Sequence, residues 1–318
     1  MKRVVYFSIG VLALLGSLGS AGVGAMLGRG VLHPMVRPLT RELIQESDRI
    51  WQKVDAIPDG FEVRAPDNVL LRGWKVRPRF ANGDWVLLLH GVSDNRTGMT
   101  GQAGLLLRHG YSVVMMDSRA HGESGGSTAT YGWLERRDTR AIVDALYATE
   151  MPRNLFALGS SMGAAIALES AGVEPRIAGV VAESSFSDLR EVTYDYAGLH
   201  WSPWLGKTLF RPGTWTAISA AQKEGGFSAD DVSPAKSVAA RPFAVLLICD
   251  ESDHIIPCRH THRIFDVATG PKELWEVPGA GHASALGTMP AEFERRVIVF
   301  LSNLDANNLP APVPATRP

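Results

Sequence analysis

Residues 159–163 read Gly-Ser-Ser-Met-Gly, a serine with glycine two places before and two places after it. A strand-like apolar run, Asn154–Leu158, leads in, and a helix-forming run, Ala164–Glu169, leads out. A G-x-S-x-G pentapeptide between strand and helix makes a turn too tight for side chains at the glycines, and it lifts one serine above the sheet edge. Ser161 is the candidate nucleophile, and Ser160 fills an x position with a structural role. Gly122-Glu123-Ser124-Gly125-Gly126 matches the same pattern. That second match follows a loop and runs into more Gly, Ser and Thr, so Ser124 is expected to be a loop residue.

A serine needs a base, and the base needs an orienting acid. Phe243–Cys249 is a continuous apolar run of buried parallel-strand type, followed by Asp250-Glu251-Ser252-Asp253. Carboxylates just past the end of such a strand lie where open α/β sheets build their sites. Leu274–Val277 reads as a further short strand, and Pro278-Gly279-Ala280-Gly281-His282 follows it. The order Ser, Asp, His along the chain agrees with a triad of Ser161, Asp253 and His282.

These segments together resemble the alpha/beta-hydrolase superfamily, in its esterase, lipase and peptidase-like branch. Leu89-His90-Gly91-Val92 resembles the family's H-G motif after the third strand. Asp117–Gly126 resembles its D-x-R-G-H-G-x-S-x-G loop, with Ala120 where Gly is usual. Asp250–Pro257 resembles its G-x-x-D-x-x-V-P acid loop, with Asp250 in place of Gly. The resemblance implies Asp253 as the acid, with Asp250 as runner-up. It implies an α/β fold: a mostly parallel eight-stranded sheet, helices on both faces and a cap insertion. The oxyanion donors it implies are the backbone N–H groups of Met162 and Val92. Ser at position 161 argues against the dehalogenase and epoxide hydrolase branches, which use Asp there.

Other chemistry-bearing residues have plainer readings. His90 is expected to brace the oxyanion loop, and His121 and Glu123 to organise theirs. Cys258, His260 and His262, with His254 nearby, lack a second ligand cluster at zinc-type spacing, so no metal site is expected. No dinucleotide or P-loop fingerprint is present, and no cofactor is expected. Two cysteines do not make a disulfide framework, and Cys249 is expected as an inert core thiol. The net charge of −1 gives no electrostatic case for nucleic acid.

The elements that must position these residues follow in alternation. Phe61–Arg64 and Val69–Val76 read as an antiparallel pair. Trp85–Leu89, Tyr111–Met116, Asn154–Leu158, Ile177–Ala182, Phe243–Cys249 and Leu274–Val277 read as buried strands. Helical stretches such as Thr139–Thr149 and Ala291–Asn303 separate them, which means a parallel sheet covered on both faces. The catalytic domain is expected over residues 60–304. The stretch from about 186 to 240 is too long for a strand connection. It holds Tyr194, Tyr196, Trp201, Trp204, Phe210 and Trp215. The resemblance makes it a cap, whose aromatics either line an apolar acyl pocket or pack the cap onto the core.

Ahead of this domain, Met1-Lys2-Arg3 precedes an uncharged, mainly apolar stretch of 24 residues, Val4–Leu27. About 20 such residues cross a bilayer core, so residues 1–28 are expected to be a transmembrane anchor. A cleaved signal peptide, giving a secreted protein, is the competing reading. Gly16, Ser20, Gly24 and Gly28 form a small-residue stripe that permits helix–helix self-association. Lys2 and Arg3 before the stretch nearly balance Arg29, Arg37 and Arg41 after it, leaving orientation open. Residues 29–59 read as a linker with an amphipathic helix that lies on the membrane or packs on the domain. The Pro-rich tail, 305–318, is expected to be disordered. The leading expectation is a membrane-anchored serine hydrolase acting on a lipid-like carboxylic ester. A peptidase or amidase with the same triad, and a non-catalytic binding module, stay open. Glu224, Asp230 and Asp231 are candidates for receiving a substrate ammonium in the peptidase reading.

Overall fold

The computed structural model describes residues 28–198 and 210–304, with isolated positions at 19, 22, 24, 204, 207 and 208. The expected anchor therefore lies almost wholly outside the described residues, as do the tail and Trp201. Among the described residues, no helix is long and apolar enough to cross a membrane.

Eight strands form one sheet. They are β1 (Ala56–Arg64), β2 (Leu70–Pro78), β3 (Trp85–Leu89), β4 (Ser112–Met116), β5 (Leu155–Ser160), β6 (Ile177–Glu183), β7 (Ala244–Asp250) and β8 (Lys272–Val277). Their spatial order is β1-β2-β4-β3-β5-β6-β7-β8. Only β2 runs against its neighbours β1 and β4; every other pairing is parallel. β1 begins four residues before the expected domain start at 60. Pro58 and Asp59, at the end of the expected linker, lie inside the strand instead. Asp55, at a φ of 51°, turns the chain first, and an edge strand tolerates proline because one side of its ladder is unpaired.

Strands β3, β4, β5 and β7 are buried along their whole length, which requires cover on both faces. The two-residue period of a strand divides them cleanly. Leu87, Leu89, Val114, Met116, Ala157 and Leu247 enter the core under α3 (Glu135–Thr149) and α4 (Met162–Val173). Val86, Leu88, Val113, Met115, Leu158 and Leu246 enter the opposite core. That second core is closed by α1 (Arg41–Lys53), α2 (Thr100–Arg108) and α9 (Pro290–Asn303). Trp51 on α1 is buried there, so the amphipathic helix packs on the domain.

The segment between β6 and β7 folds as α5 (Leu189–Ala197), α6 (Arg211–Gly225) and α7 (Pro234–Ala240). It has a small core of its own. Phe186, Leu189, Ile218, Ala221, Phe227 and Val232 meet Leu32 and Ala165 of α4. At three positions the aromatics do not fill that core. Tyr196, Trp204 and Trp215 are 62%, 68% and 58% exposed. Tyr194 packs against the cap core. Asp195 pins α5 to α8 (Arg259–Val267), accepting from His260 Nε2 at 2.9 Å and pairing with Arg259 and Lys207. The stripe expected to drive self-association is partly used within the chain. A methyl at Gly24 or Gly28 would overlap the backbone oxygen of Gly213 or Ala217 on α6, while Gly16 and Ser20 lie outside the described residues.

Candidate active site

Ser161 stands between β5 and α4 with φ 56° and ψ −120°, a conformation that a β-substituted residue adopts only under surrounding constraint. The flanking glycines permit it. A methyl at Gly159 would overlap the Gly163 carbonyl, and one at Gly163 would overlap the Leu89 carbonyl of β3. The turn thus presses against the neighbouring strand, and the serine is held at its apex, only 7% exposed.

The three residues expected as a triad are in hydrogen-bond contact. Ser161 Oγ lies 2.9 Å from His282 Nε2, and His282 Nδ1 lies 2.7 Å from Asp253 Oδ2. The other carboxylate oxygen, Oδ1, accepts the Ile255 and Ile256 N–H groups at 2.8 and 2.9 Å. Burial alone would raise the Asp253 pKa. The His282 bond and charge and the two backbone donors outweigh it, so the carboxyl lies below its usual range and stays ionised. That fixes the tautomer with Nδ1 protonated and leaves Nε2 as acceptor for the serine proton. The runner-up acid, Asp250, does not touch the imidazole. Its Oδ2 accepts from Ser184 Oγ at 2.8 Å and from the Ser284 N–H at 3.4 Å.

Met162 is the first residue of α4, so its N–H has no intrahelical acceptor and sits at the positive end of the helix. The loop after β3 passes directly against the serine: a methyl at Gly91 would lie 3.5 Å from Ser161 Cβ. Val92 follows in that loop, 38% exposed. His90 braces it. Its ring donates from Nδ1 to the Gly91 carbonyl at 2.8 Å and accepts the Ser118 N–H at Nε2 at 3.0 Å. Burial first, then the nearby His121, pushes its pKa down to about 3, so it is neutral and does not shuttle protons at ordinary pH. His121 accepts the Ser93 N–H, and the Glu123 N–H donates to Asp117. Ala120 holds a φ of 58°, which accounts for the glycine usual at that place.

One supporting residue was missed. Glu183 ends β6 beneath the serine turn. Its carbonyl accepts the Ser161 N–H at 2.9 Å, Oε2 accepts Ser160 Oγ at 3.1 Å, and Oε1 accepts the Ala285 N–H at 2.8 Å. It therefore ties the serine turn to the loop carrying His282. Burial, then the Asp250 charge, raises its pKa to about 7. A carboxylate closing a predicted buried strand was the available signal, the same one that marked Asp250. The cysteines also differ from expectation. Cys249 does lie in a buried strand, whose last residue is Asp250, but it is paired with Cys258, with Cα atoms 5.4 Å apart. Strand and loop return to the same place, which a linear reading of two lone cysteines does not reveal. Of the acidic residues considered for an ammonium, Glu224 pairs with His33 and Asp230 with Arg190.

An eight-stranded, mostly parallel sheet with a serine on a strand–turn–helix apex and a histidine after the last strand defines a hydrolase-fold protein. The comparisons agree: the sequence profile of the alpha/beta hydrolase family matches residues 86–296, and the chain belongs to that family. The Bacillus subtilis protein YqkD is 28% identical over 243 residues, covering 74% of this chain and 76% of that protein. The Escherichia coli protein YfhR is 23% identical over 271 residues, covering 82% and 87%. An esterase structure from Pyrococcus furiosus superposes with a TM-score of 0.67 at 23% identity, covering 86% of this chain and all of that one (100%).

Proposed function

We propose that this chain is a serine hydrolase that cleaves carboxylic esters through an acyl-enzyme, with lipid-like acyl esters as its substrate class. The observation that carries this reading is the unbroken hydrogen-bond relay Asp253–His282–Ser161. Ser161 Oγ attacks the acyl carbonyl while His282 Nε2 takes its proton. Asp253, already ionised, stabilises the imidazolium that results. The Met162 and Val92 N–H groups receive the oxyanion; each such donor is worth roughly 3–4 kcal/mol in the transition state. His282 then protonates the leaving alkoxide, and water activated by the same imidazole releases the acid.

The ester assignment draws support from the esterase fold likeness. It also draws support from the engagement of Glu224 and Asp230 in ion pairs, which leaves them poorly suited to an amine terminus. The apolar stretch Val4–Leu27 supports a membrane address. Labelling with a fluorophosphonate probe tests the nucleophile: wild type labels, Ser161→Ala and heat-denatured protein do not. Equal labelling of folded Ser161→Ala would falsify the assignment. Membrane fractionation with carbonate washing tests the anchor, which predicts retention in the pellet.

A further inference from the structure

Three metal-ligating side chains, Cys249, His262 and Glu276, converge behind the acid loop, and a fourth, Cys258, is bonded to the first. Cys249 and Glu276 are register partners across the parallel β7–β8 pair. Cys258 precedes α8, and His262 lies one turn further, so the two share a helix face. The pairs meet: Cys249 is bonded to Cys258, and His262 Nε2 lies 2.6 Å from Glu276 Oε1. Ligand atoms of Cys249, His262 and Glu276 all lie within 4.8 Å of one another. We propose that Cys249, Cys258, His262 and Glu276 form a redox-gated site for a thiophilic divalent metal of the zinc type. The cysteines form a disulfide when oxidised and provide two thiolate ligands when reduced.

The chemistry of the donor set fits. Two thiolates, one imidazole and one carboxylate make a four-coordinate set of the kind zinc takes, with Zn–S bonds of about 2.3 Å. Two sulfurs on one tetrahedral zinc sit about 3.8 Å apart, a separation that side-chain rotation reaches from Cα atoms 5.4 Å apart. His262 and Glu276 have 44% and 48% exposed side chains, so the metal has an entry path, while Cys249 is buried. The earlier grouping of Cys258, His260 and His262 fails for a simple reason. His260 faces the cap, bonded to Ser187 and Asp195. The missing partners come from strands distant in sequence. In the switch, a dithiol reductant breaks the S–S bond and gives its two electrons and two protons to the sulfurs, leaving as its own disulfide. The metal then takes both sulfurs as thiolates, and the two protons go to solvent.

The location ties the site to the catalytic loops. Cys249 and Cys258 bracket residues 250–257, which contain Asp253, and Glu276 precedes Val277, whose carbonyl accepts the Glu251 N–H at 3.1 Å. Either clamp, disulfide or metal, holds the roots of the acid and histidine loops. The test uses the full chain, reduced with a phosphine, freed of reductant without oxygen, and titrated with Co²⁺ and then Zn²⁺ alone. The expected result is one equivalent of Co²⁺ bound with tetrahedral and thiolate charge-transfer absorption bands, displaced by Zn²⁺. Oxidised protein should show none of these bands. His262→Ala and Glu276→Ala, both surface changes, should weaken binding at least tenfold with the circular dichroism unchanged. The site is overturned if reduced wild type binds no more Co²⁺ than Cys258→Ser. It is equally overturned if both surface variants bind as tightly as wild type.

Discussion

Two segments of this chain carry the same five-residue pattern and fold into different surroundings. At 159–163 the central serine sits at an apex with a positive φ, its hydroxyl in contact with His282. At 122–126 the central serine is tied into a loop. Ser124 Oγ donates to the Asp117 carbonyl at 2.7 Å and accepts the Arg72 N–H at 2.9 Å. Both glycine sets are constrained, but by different neighbours. Gly163 is pressed against the backbone of β3, whereas Gly126 is needed for its φ of 91° and a methyl there would make only ordinary contacts, at 3.5 Å or more. A hydroxyl whose proton is donated to a backbone carbonyl is not activated by a base, whereas the Ser161 hydroxyl meets an imidazole.

The largest effect should separate the two serines. Ser161→Ala is expected to lower kcat by about 10⁴–10⁶, as removal of a triad nucleophile does. Ser124→Ala should leave kcat within about twofold and instead lower stability by roughly 1–3 kcal/mol, because the Arg72 N–H and Asp117 carbonyl lose their partner. Ester hydrolysis rates and urea midpoints on both variants check this. Comparable kcat losses in the two would dissolve the distinction.

The next effect separates the two aspartates of the acid loop. Asp253→Asn removes the charge that fixes the His282 tautomer, with an expected loss of about 10⁴ in kcat. Asp250→Asn leaves the Asp253–His282–Ser161 contacts in place and should cost far less, because the Asp250 carboxylate bonds Ser184 and the Ser284 N–H and not the imidazole. This choice was not legible from local pattern, since both aspartates follow the same buried strand; only the resemblance ranked them. The strands were legible from short-range periodicity, and the places of Ser161, His282 and His90 just past them were legible from turn chemistry. Glu183 and the Cys249–Cys258 pair were not. Their roles depend on which strands lie side by side, and register between distant segments leaves no mark in a local window. The exposed cap aromatics differ for a related reason: hydrophobicity shows that a residue favours burial, not how much of its surface the fold covers.

A smaller effect compares the closing glycines. Gly163→Ala drives a methyl into the Leu89 carbonyl, displacing either β3 or the serine, and a displacement near 1 Å costs about 100-fold in rate. Gly126→Ala meets nothing nearer than 3.5 Å and carries only the left-handed backbone strain, about 1–2 kcal/mol. Activity should fall in the first and persist in the second, with thermal midpoints showing the milder loss.

The last contrast lies beneath the two turns, each of which rests on a buried carboxyl. Asp117 accepts the Arg96 and Glu123 N–H groups at 2.7 and 2.8 Å and has the Arg96 guanidinium 3.6 Å away. Glu183 has Asp250 as its charged neighbour instead, and burial followed by that charge raises its pKa to about 7 from 4.5. Between those two values the folded chain holds a proton that the unfolded chain has released. Stability therefore falls as pH rises through this window, and the contribution of the protonated form is gone above about pH 7. Glu183→Gln keeps an acceptor for the Ala285 N–H and a partner for Ser160 without ionising. It should flatten the decline in urea midpoint between pH 5 and pH 7.5. Asp117→Asn should behave differently, because one carboxamide oxygen cannot accept both backbone donors that two carboxylate oxygens now serve. It loses stability at both pH values. A parallel response in the two variants would mean that the carboxyl under the serine turn is held by its hydrogen-bond donors, as Asp117 is, and not governed by burial and the charge of Asp250.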